Sequence, residues 1–167
     1  MTQSKGFAAL SEDKLSLSFA NTLKQGDITF TKYGTNDEND LNAKAKLSGA
    51  VFGLYTDAET KIPVKDATDK AVTATSGEDG NVTFKDIYVG TYYIKESAAP
   101  DDYTADSTIY QAVIDNKGNC DGLHTVAGIE VSNNALSEIT NQAVRGKISI
   151  AKPIPLTVKP SRASNLH

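Results

Sequence analysis

The 167-residue sequence predicts an all-β fold, a two-sheet β-sandwich, on three observations. Helical periodicity is poor along the whole chain. Short alternating runs rich in Val, Ile, Thr, Tyr and Phe recur at close spacing. Clusters of Gly, Asn and Asp lie between them, where residues that tolerate positive φ make tight connections. Seven or eight short strands spaced in this way suit two packed sheets.

Taken in order, strands are expected over Ile28 to Tyr33, Ala50 to Tyr55, Val72 to Thr75 and Asn81 to Lys85, then over Thr91 to Glu96, Ile109 to Asp115, His124 to Val131 and Leu136 to Val144. Glu78-Asp79-Gly80-Asn81 and Asp115-Asn116-Lys117-Gly118 are expected turns, and Ala99-Pro100-Asp101-Asp102 should end a strand. The acidic stretch Thr35 to Asp40 and the segment Asp57 to Lys70 read as solvated loops.

Composition bounds the rest. With 39% hydrophobic residues the chain can build one proper core but is too short for two large domains. The formal charge is −4 and the 17 basic residues are scattered, which leaves no electrostatic footprint for nucleic acid. Cys120 is the single cysteine, so no disulfide can close within one chain and covalent reinforcement needs other chemistry. No run of about eighteen apolar residues is present, so no membrane insertion is expected. The start MTQSKGFAALSEDK lacks the apolar core of a signal peptide, so export and anchor signals are expected to be absent from this segment, lying outside it or missing altogether. Asp115 to Gly122 does not have EF-hand spacing, so no metal or cofactor is expected.

An internal repeat organises the ends. Asn21 is followed by Gly26 and Lys32 at the same intervals at which Asn141 is followed by Gly146 and Lys152, and LSFANTLKQGDITFTK matches SEITNQAVRGKISIAK in pattern. A tandem array explains this. Residues 1–25 would be the last strand of a preceding repeat or a linker, 26–144 one whole unit, and 145–167 the first strand of a following repeat plus a disordered tail. Asn21 and Lys152 would then each be half of a bond whose other members lie in neighbouring repeats.

Strand parity singles out three polar residues. Side chains alternate between faces, so Ile28, Phe30 and Lys32 share a side, as do Tyr92, Ile94 and Glu96, and Ile139, Asn141 and Ala143. A lone buried ammonium or carboxylate costs several kcal/mol, so the three must compensate one another or lie at the rim. Desolvation lowers the pKa of a lysine and raises that of a glutamate, so a close buried pair can exist as amine and acid. The amine of Lys32 would attack the side-chain carbonyl carbon of Asn141. Protonated Glu96 would hydrogen-bond to the carbonyl oxygen and relay protons to the departing ammonia. Proximity in the core would supply the rate without enzyme or cofactor. Asn133 and Asn134 are rival acceptors, but they sit in an expected turn.

At these residues the sequence resembles the Cna-B or SpaA-type family, the isopeptide-forming repeat of Gram-positive adhesins and pilins. The matching pieces are ITFTK ending in Lys32, LSGAVFGLY from Leu47, GEDGNVTFKDIYVGTYYIKESAAPDDY from Gly77 to Tyr103, and EITNQ around Asn141. The block GTYYIKESAAP is similar to the family's E-box, with Glu96 at its catalytic acid. The resemblance implies an inverse Ig-like sandwich and an intramolecular Lys32–Asn141 bond. Asp102 stands where the family often has Gly before Tyr103, which affects only that turn. No sortase signal ends the chain and no pilin-type lysine motif is evident, so a polymerising shaft subunit is not implied.

The expected function is a structural stalk or pilin repeat on the bacterial cell wall or pilus, outside the cell. Its partners would be adjacent repeats, other pilus or cell-wall proteins, or host surface ligands. The alternative is an adhesin head that binds a matrix protein or glycan through the loop Asp57 to Lys70 or the one near Asp37, although no exposed aromatic cluster is evident. Strand addition between the flanks of different molecules would give oligomers. An enzyme is not expected. Glu96 paired with an Asp would be the minimum for a hydrolase, and Cys120 with His124 lies too close along one hairpin for a protease dyad.

Overall fold

The computed structural model of the chain describes residues 22–36 and 43–144. Asn21, Lys152, the acidic stretch around Asp37 and the tail lie outside the described residues.

Among the described residues ten strands form two sheets: β1 (Gln25–Thr35), β2 (Lys44–Lys46), β3 (Val51–Tyr55), β4 (Thr73–Thr75), β5 (Asn81–Tyr88), β6 (Gly90–Ala98), β7 (Ile109–Ile114), β8 (His124–Ala127), β9 (Glu130–Val131) and β10 (Glu138–Gln142). One sheet runs β10-β1-β2 with β5 also paired to β1, and the other runs β4-β3-β6-β7-β8-β9. β1 is long enough to serve several partners. Its Lys32 N–H and C=O reach Gly80 and Leu47 on one edge, toward β5 and β2, while the N–H of Thr31 reaches Ser137 on the β10 edge. The β1–β10 pairing is parallel, and all the others are antiparallel.

The interior confirms the alternation read from the sequence. Ile28, Phe30, Phe52, Leu54, Val82, Phe84, Ile94, Ala112, Ile114, Leu123 and Ile139 are buried between the sheets. The rings of Phe30 and Phe52 meet edge-on with centroids 5.0 Å apart. Each of these side chains except that of Ala112 contributes about 1.5 to 3 kcal/mol on burial. The expected turns also form: Gly80 and Gly118 take φ of 73° and 88°, the left-handed conformation that the Cβ of other residues disfavours.

Beyond shifts of one to three residues at strand ends, the expected elements differ in four places. β2 was not expected, because Lys44-Ala45-Lys46 has no apolar alternation; it is a short charged edge strand, as edges often are. The expected strand His124 to Val131 breaks at Gly128, whose φ of 66° turns it into the β8–β9 hairpin. The last strand narrows to Glu138–Gln142, with Leu136 and Ala143 in isolated bridges to Leu123 and Tyr103. The loop Asp57 to Lys70 is more built than a solvated loop: the Asp57 carboxylate accepts the N–H groups of Lys61 and Ile62, and bridges join Tyr55 to Pro63 and Lys65 to Ala71.

Candidate cross-linking site

Lys32, Glu96 and Asn141 come from β1, β6 and β10, and the fold brings them together between the sheets. Their relative exposures are 0%, 4% and 1%, so the rim alternative does not apply. The register explains how Lys32 reaches Asn141. Lys32 lies opposite Ile139 and Gly34 lies opposite Asn141, so the long lysine reaches two residues along the strands to meet Asn141. Gly34 leaves open the position opposite Asn141. The same vacancy admits the ring of Tyr103: a Cβ on Gly34 would lie 2.4 Å from its Cε1 atom.

Lys32 Nζ donates to Asn141 Oδ1. Asn141 Nδ2 donates to both Glu96 oxygens, at 2.8 and 2.9 Å, and Lys32 Nζ lies 3.6 Å from Glu96 Oε1. The amine also stands 5.5 Å from the centroid of the Phe52 ring. Burial pushes the Lys32 pKa below its ordinary value, against the opposing pull of the Glu96 and Asp106 charges. A lowered pKa brings the free amine, the nucleophilic form, within reach at lower pH.

One expected contact is corrected. Glu96 does not hydrogen-bond to the carbonyl oxygen of Asn141; it faces the amide nitrogen, and the oxygen faces Lys32. Electrostatics accounts for this, because a carboxamide between an ammonium and a carboxylate turns its negative end to the cation and its N–H bonds to the anion. Glu96 is therefore placed at the nitrogen that would leave.

The other sequence candidates are separate from this cluster. Asn133 and Asn134 are exposed at a bend. Cys120 is half-buried, its thiol pKa raised by that burial, and it donates to Gly122 O at 3.6 Å. His124 pairs instead with Ser132 O and Asp121. The Asp115 carboxylate accepts the N–H groups of Lys117 and Asn119, both at 2.8 Å, and so caps its own turn.

Two contributors were not foreseen. Asp106 donates its main-chain N–H to Glu96 Oε2 at 2.6 Å, and the Tyr110 hydroxyl donates to Asp106 Oδ2 at 2.5 Å. Asp106 sits between strands, where parity gives no signal. Tyr110 shares its stripe with buried Ala112 and Ile114, and that placement was a usable signal.

A family model of the SpaA prealbumin-like fold domain matches residues 26–126. The chain belongs to this family. No curated protein matches the sequence. Among solved structures, the pilus adhesin of Streptococcus pneumoniae is 26% identical with a TM-score of 0.50, over 74% of this chain and 16% of that one. The minor pilin of the Gram-positive pathogen Streptococcus agalactiae is 18% identical with a TM-score of 0.51, over 78% of this chain and 49% of that one. The chain thus spans half or less of the length of these solved proteins. The all-β, two-sheet sandwich read from the sequence is the prealbumin-like fold of this family.

Proposed function

We propose that this domain is a stalk or pilin-type repeat of an extracellular protein on the cell wall or pilus of a Gram-positive bacterium. In this reading it locks itself with an intramolecular isopeptide bond between Lys32 and Asn141. The observation that carries the reading is the Lys32 amine resting on the Asn141 carboxamide, out of water, with Glu96 on the amide nitrogen.

The reaction balances within the triad. Glu96 takes a proton from the Lys32 ammonium, and the free amine moves from the oxygen's edge onto the face of the carbonyl and attacks Cγ. Glu96 then returns the proton to Nδ2, the C–N bond breaks, ammonia leaves, and Glu96 keeps the remaining amine proton. A neutral secondary amide and a neutral acid replace a buried ion pair. The three groups are held by strands of a packed core, so proximity supplies the rate.

Topology supports a mechanical role. β1 and β10 are parallel neighbours, so tension entering at the start of β1 and leaving at the end of β10 shears them past each other. A Lys32–Asn141 amide would carry that load directly and shield the intervening chain, since the two residues are 109 positions apart. Residues 26–144 would then form the whole unit. Asn21 and Lys152 would belong to bonds of adjacent repeats, which are the expected partners together with other pilus or cell-wall proteins. Intact mass spectrometry of the full chain tests the bond: the expected mass is one ammonia below that of the sequence, with Glu96→Ala restoring the full mass. A wild-type chain at full mass overturns the reading.

A second reading, an adhesin that binds a host matrix protein or glycan, has one observation in its favour. A groove of about 450 Å³ lies between the Asp57 to Lys70 loop and the β5–β6 turn, lined by Val64, Lys65, Tyr88 and Tyr92 among others. Tyr88 and Tyr92 thus bring two aromatic side chains to one groove, which the sequence pattern did not reveal. Binding to immobilised matrix proteins or glycans that is lost in Tyr88→Ala would support it.

A further inference from the structure

The segment from Thr104 to Ser107 borders the triad at Glu96 and Asn141. Elsewhere the Phe52 ring stands over the Lys32 amine, and the Tyr103 ring lies over Gly34, opposite Asn141. Between this segment and Thr140 to Gln142 lies an open crevice of about 210 Å³, with Asp106 and Asn141 both in its wall. We propose that Asp106 is a positioning residue for bond formation, fixing Glu96 against the Asn141 carboxamide and placing a carboxylate at the crevice through which ammonia departs. The proposal rests on the reading of Lys32, Glu96 and Asn141 as the reacting groups.

Glu96 must exchange protons with two atoms in turn, the Lys32 amine and the leaving nitrogen, so the plane of its carboxylate has to stay fixed. Its contacts to Asn141 alone let it swing with that side chain. The main-chain N–H of Asp106, 2.6 Å from Oε2, adds an anchor that does not move with the reacting groups. That N–H is itself held in place. Asp106 Oδ1 accepts the N–H of Thr108 at 2.9 Å, and Oδ2 accepts the hydroxyl of Tyr110, which is buried on β7. The chain Tyr110, Asp106, Glu96, Asn141 therefore ties the proton carrier to the rigid second sheet.

The carboxylate of Asp106 acts by charge as well. Burial alone would raise its pKa, but hydrogen bonds from Thr108 and Tyr110 and the charge of Lys32 hold it below the ordinary value, so it is ionised at neutral pH. An anion in the wall of the crevice attracts the leaving group once ammonia becomes ammonium. The same anion favours the protonated form of Lys32, as Glu96 does. Removing the Asp106 charge thus has two separable effects: Glu96 loses its alignment, and Lys32 loses its proton at lower pH.

The test uses the full chain made by cell-free translation at a series of pH values, with samples quenched over time and read by intact mass. With Asp106→Asn, the plateau rate of ammonia loss is expected to fall on the order of ten- to a hundredfold, the cost of loosening a group that orients a reacting one. The rise of rate with pH should move to lower pH. Tyr110→Phe keeps the charge and loosens the anchor, so it should slow the reaction without moving the profile, and Asp106→Glu should recover the wild-type profile. A wild-type rate and profile in Asp106→Asn, or an unchanged rate in Tyr110→Phe, would overturn the role of Asp106 while leaving the bond intact. A wild-type chain that never loses ammonia would remove the underlying reaction and this proposal with it.

Discussion

β1, β6 and β10 each build two layers of the same interior. In one layer they place Phe30, Ile94 and Ile139; two residues further on, with the same parity, they place Lys32, Glu96 and Asn141. Both layers are buried to within a few per cent of full exclusion from water. The apolar layer is stabilised by burial itself, at roughly 25 cal/mol per Å². The polar layer is not: its groups lose water and must recover the loss from each other. Their mutual contacts are complete, since among the described residues every buried side-chain nitrogen and oxygen has a partner. One device, strand alternation, therefore builds both layers. The apolar layer holds the sheets together, and that rigidity confines an amine, an acid and a carboxamide to one spot, where the proposed amide would relieve the cost of burying them.

Breaking the polar layer is expected to give the largest effect. Glu96→Ala removes the proposed proton carrier, so the chain stays open, and it leaves a buried lysine without its carboxylate. The loop closed by the bond spans about a hundred residues, which the chain-entropy treatment of disulfides, applied by analogy, values at roughly 4 to 5 kcal/mol. Removing one partner of a buried ion pair costs a further 3 to 5 kcal/mol or so. Chemical denaturation of wild type and variant should therefore show a loss of several kcal/mol, together with the restored mass. A variant as stable as wild type would mean that the polar layer contributes nothing to stability and that the two layers are not energetically distinct.

The far edge of the polar layer can be probed at Gly34→Ala. The added Cβ would meet the Tyr103 ring at 2.4 to 2.9 Å, so the ring must move. Overpacking of this kind costs about 1 to 3 kcal/mol, toward the lower figure here because the atoms met lie at the far end of a side chain. Displacing the ring also admits water to the end of the triad, so the fraction of unreacted chain should rise with the loss of stability. Stability loss with wild-type bond formation would show that Tyr103 packs the fold but does not seal the site.

What could be read from sequence follows the same division. Lys32, Glu96 and Asn141 were legible because alternation in a strand fixes the face of every side chain, and a charge on an apolar stripe stands out. The strands around them were legible for the same reason. Asp106 was not, because its contribution is a main-chain N–H in a connection, which no side-chain pattern encodes. The orientation of the Asn141 carboxamide was not either, since it depends on which neighbour carries which charge in three dimensions. β2 escaped because Lys44-Ala45-Lys46 pairs through its backbone against β1 with no stripe of its own. The pairing of Tyr88 with Tyr92 depends on how the β5–β6 turn folds back, with the Tyr92 hydroxyl donating to Tyr88 O at 3.0 Å.

The outer face of β1 supplies the control for burial, and the smallest expected effect. There Lys44 of β2 reaches across Tyr33 to Glu138 of β10, joining the strands that flank β1, and stands 4.5 Å from the centroid of the Tyr33 ring. In sequence terms this is another lysine and glutamate brought together by strand pairing, yet their side chains are 25% and 44% exposed. Solvent screens such a pair, so it contributes about 0 to 1 kcal/mol, with the ring contact adding a similar small amount. Lys44→Ala should lower stability by no more than about 1 kcal/mol, and the deficit should shrink in high salt, where exposed charges are screened further. The proposed Lys32–Asn141 bond should still form completely, because Lys44 touches none of the buried triad. Denaturation at low and high salt, with intact mass on the same samples, reads both outcomes. If Lys44→Ala instead cost as much as Glu96→Ala, or left the chain at full mass, then linking β2 to β10 would be what holds the first and last strands together. Exclusion from water would no longer be what separates a reactive lysine from an ordinary one.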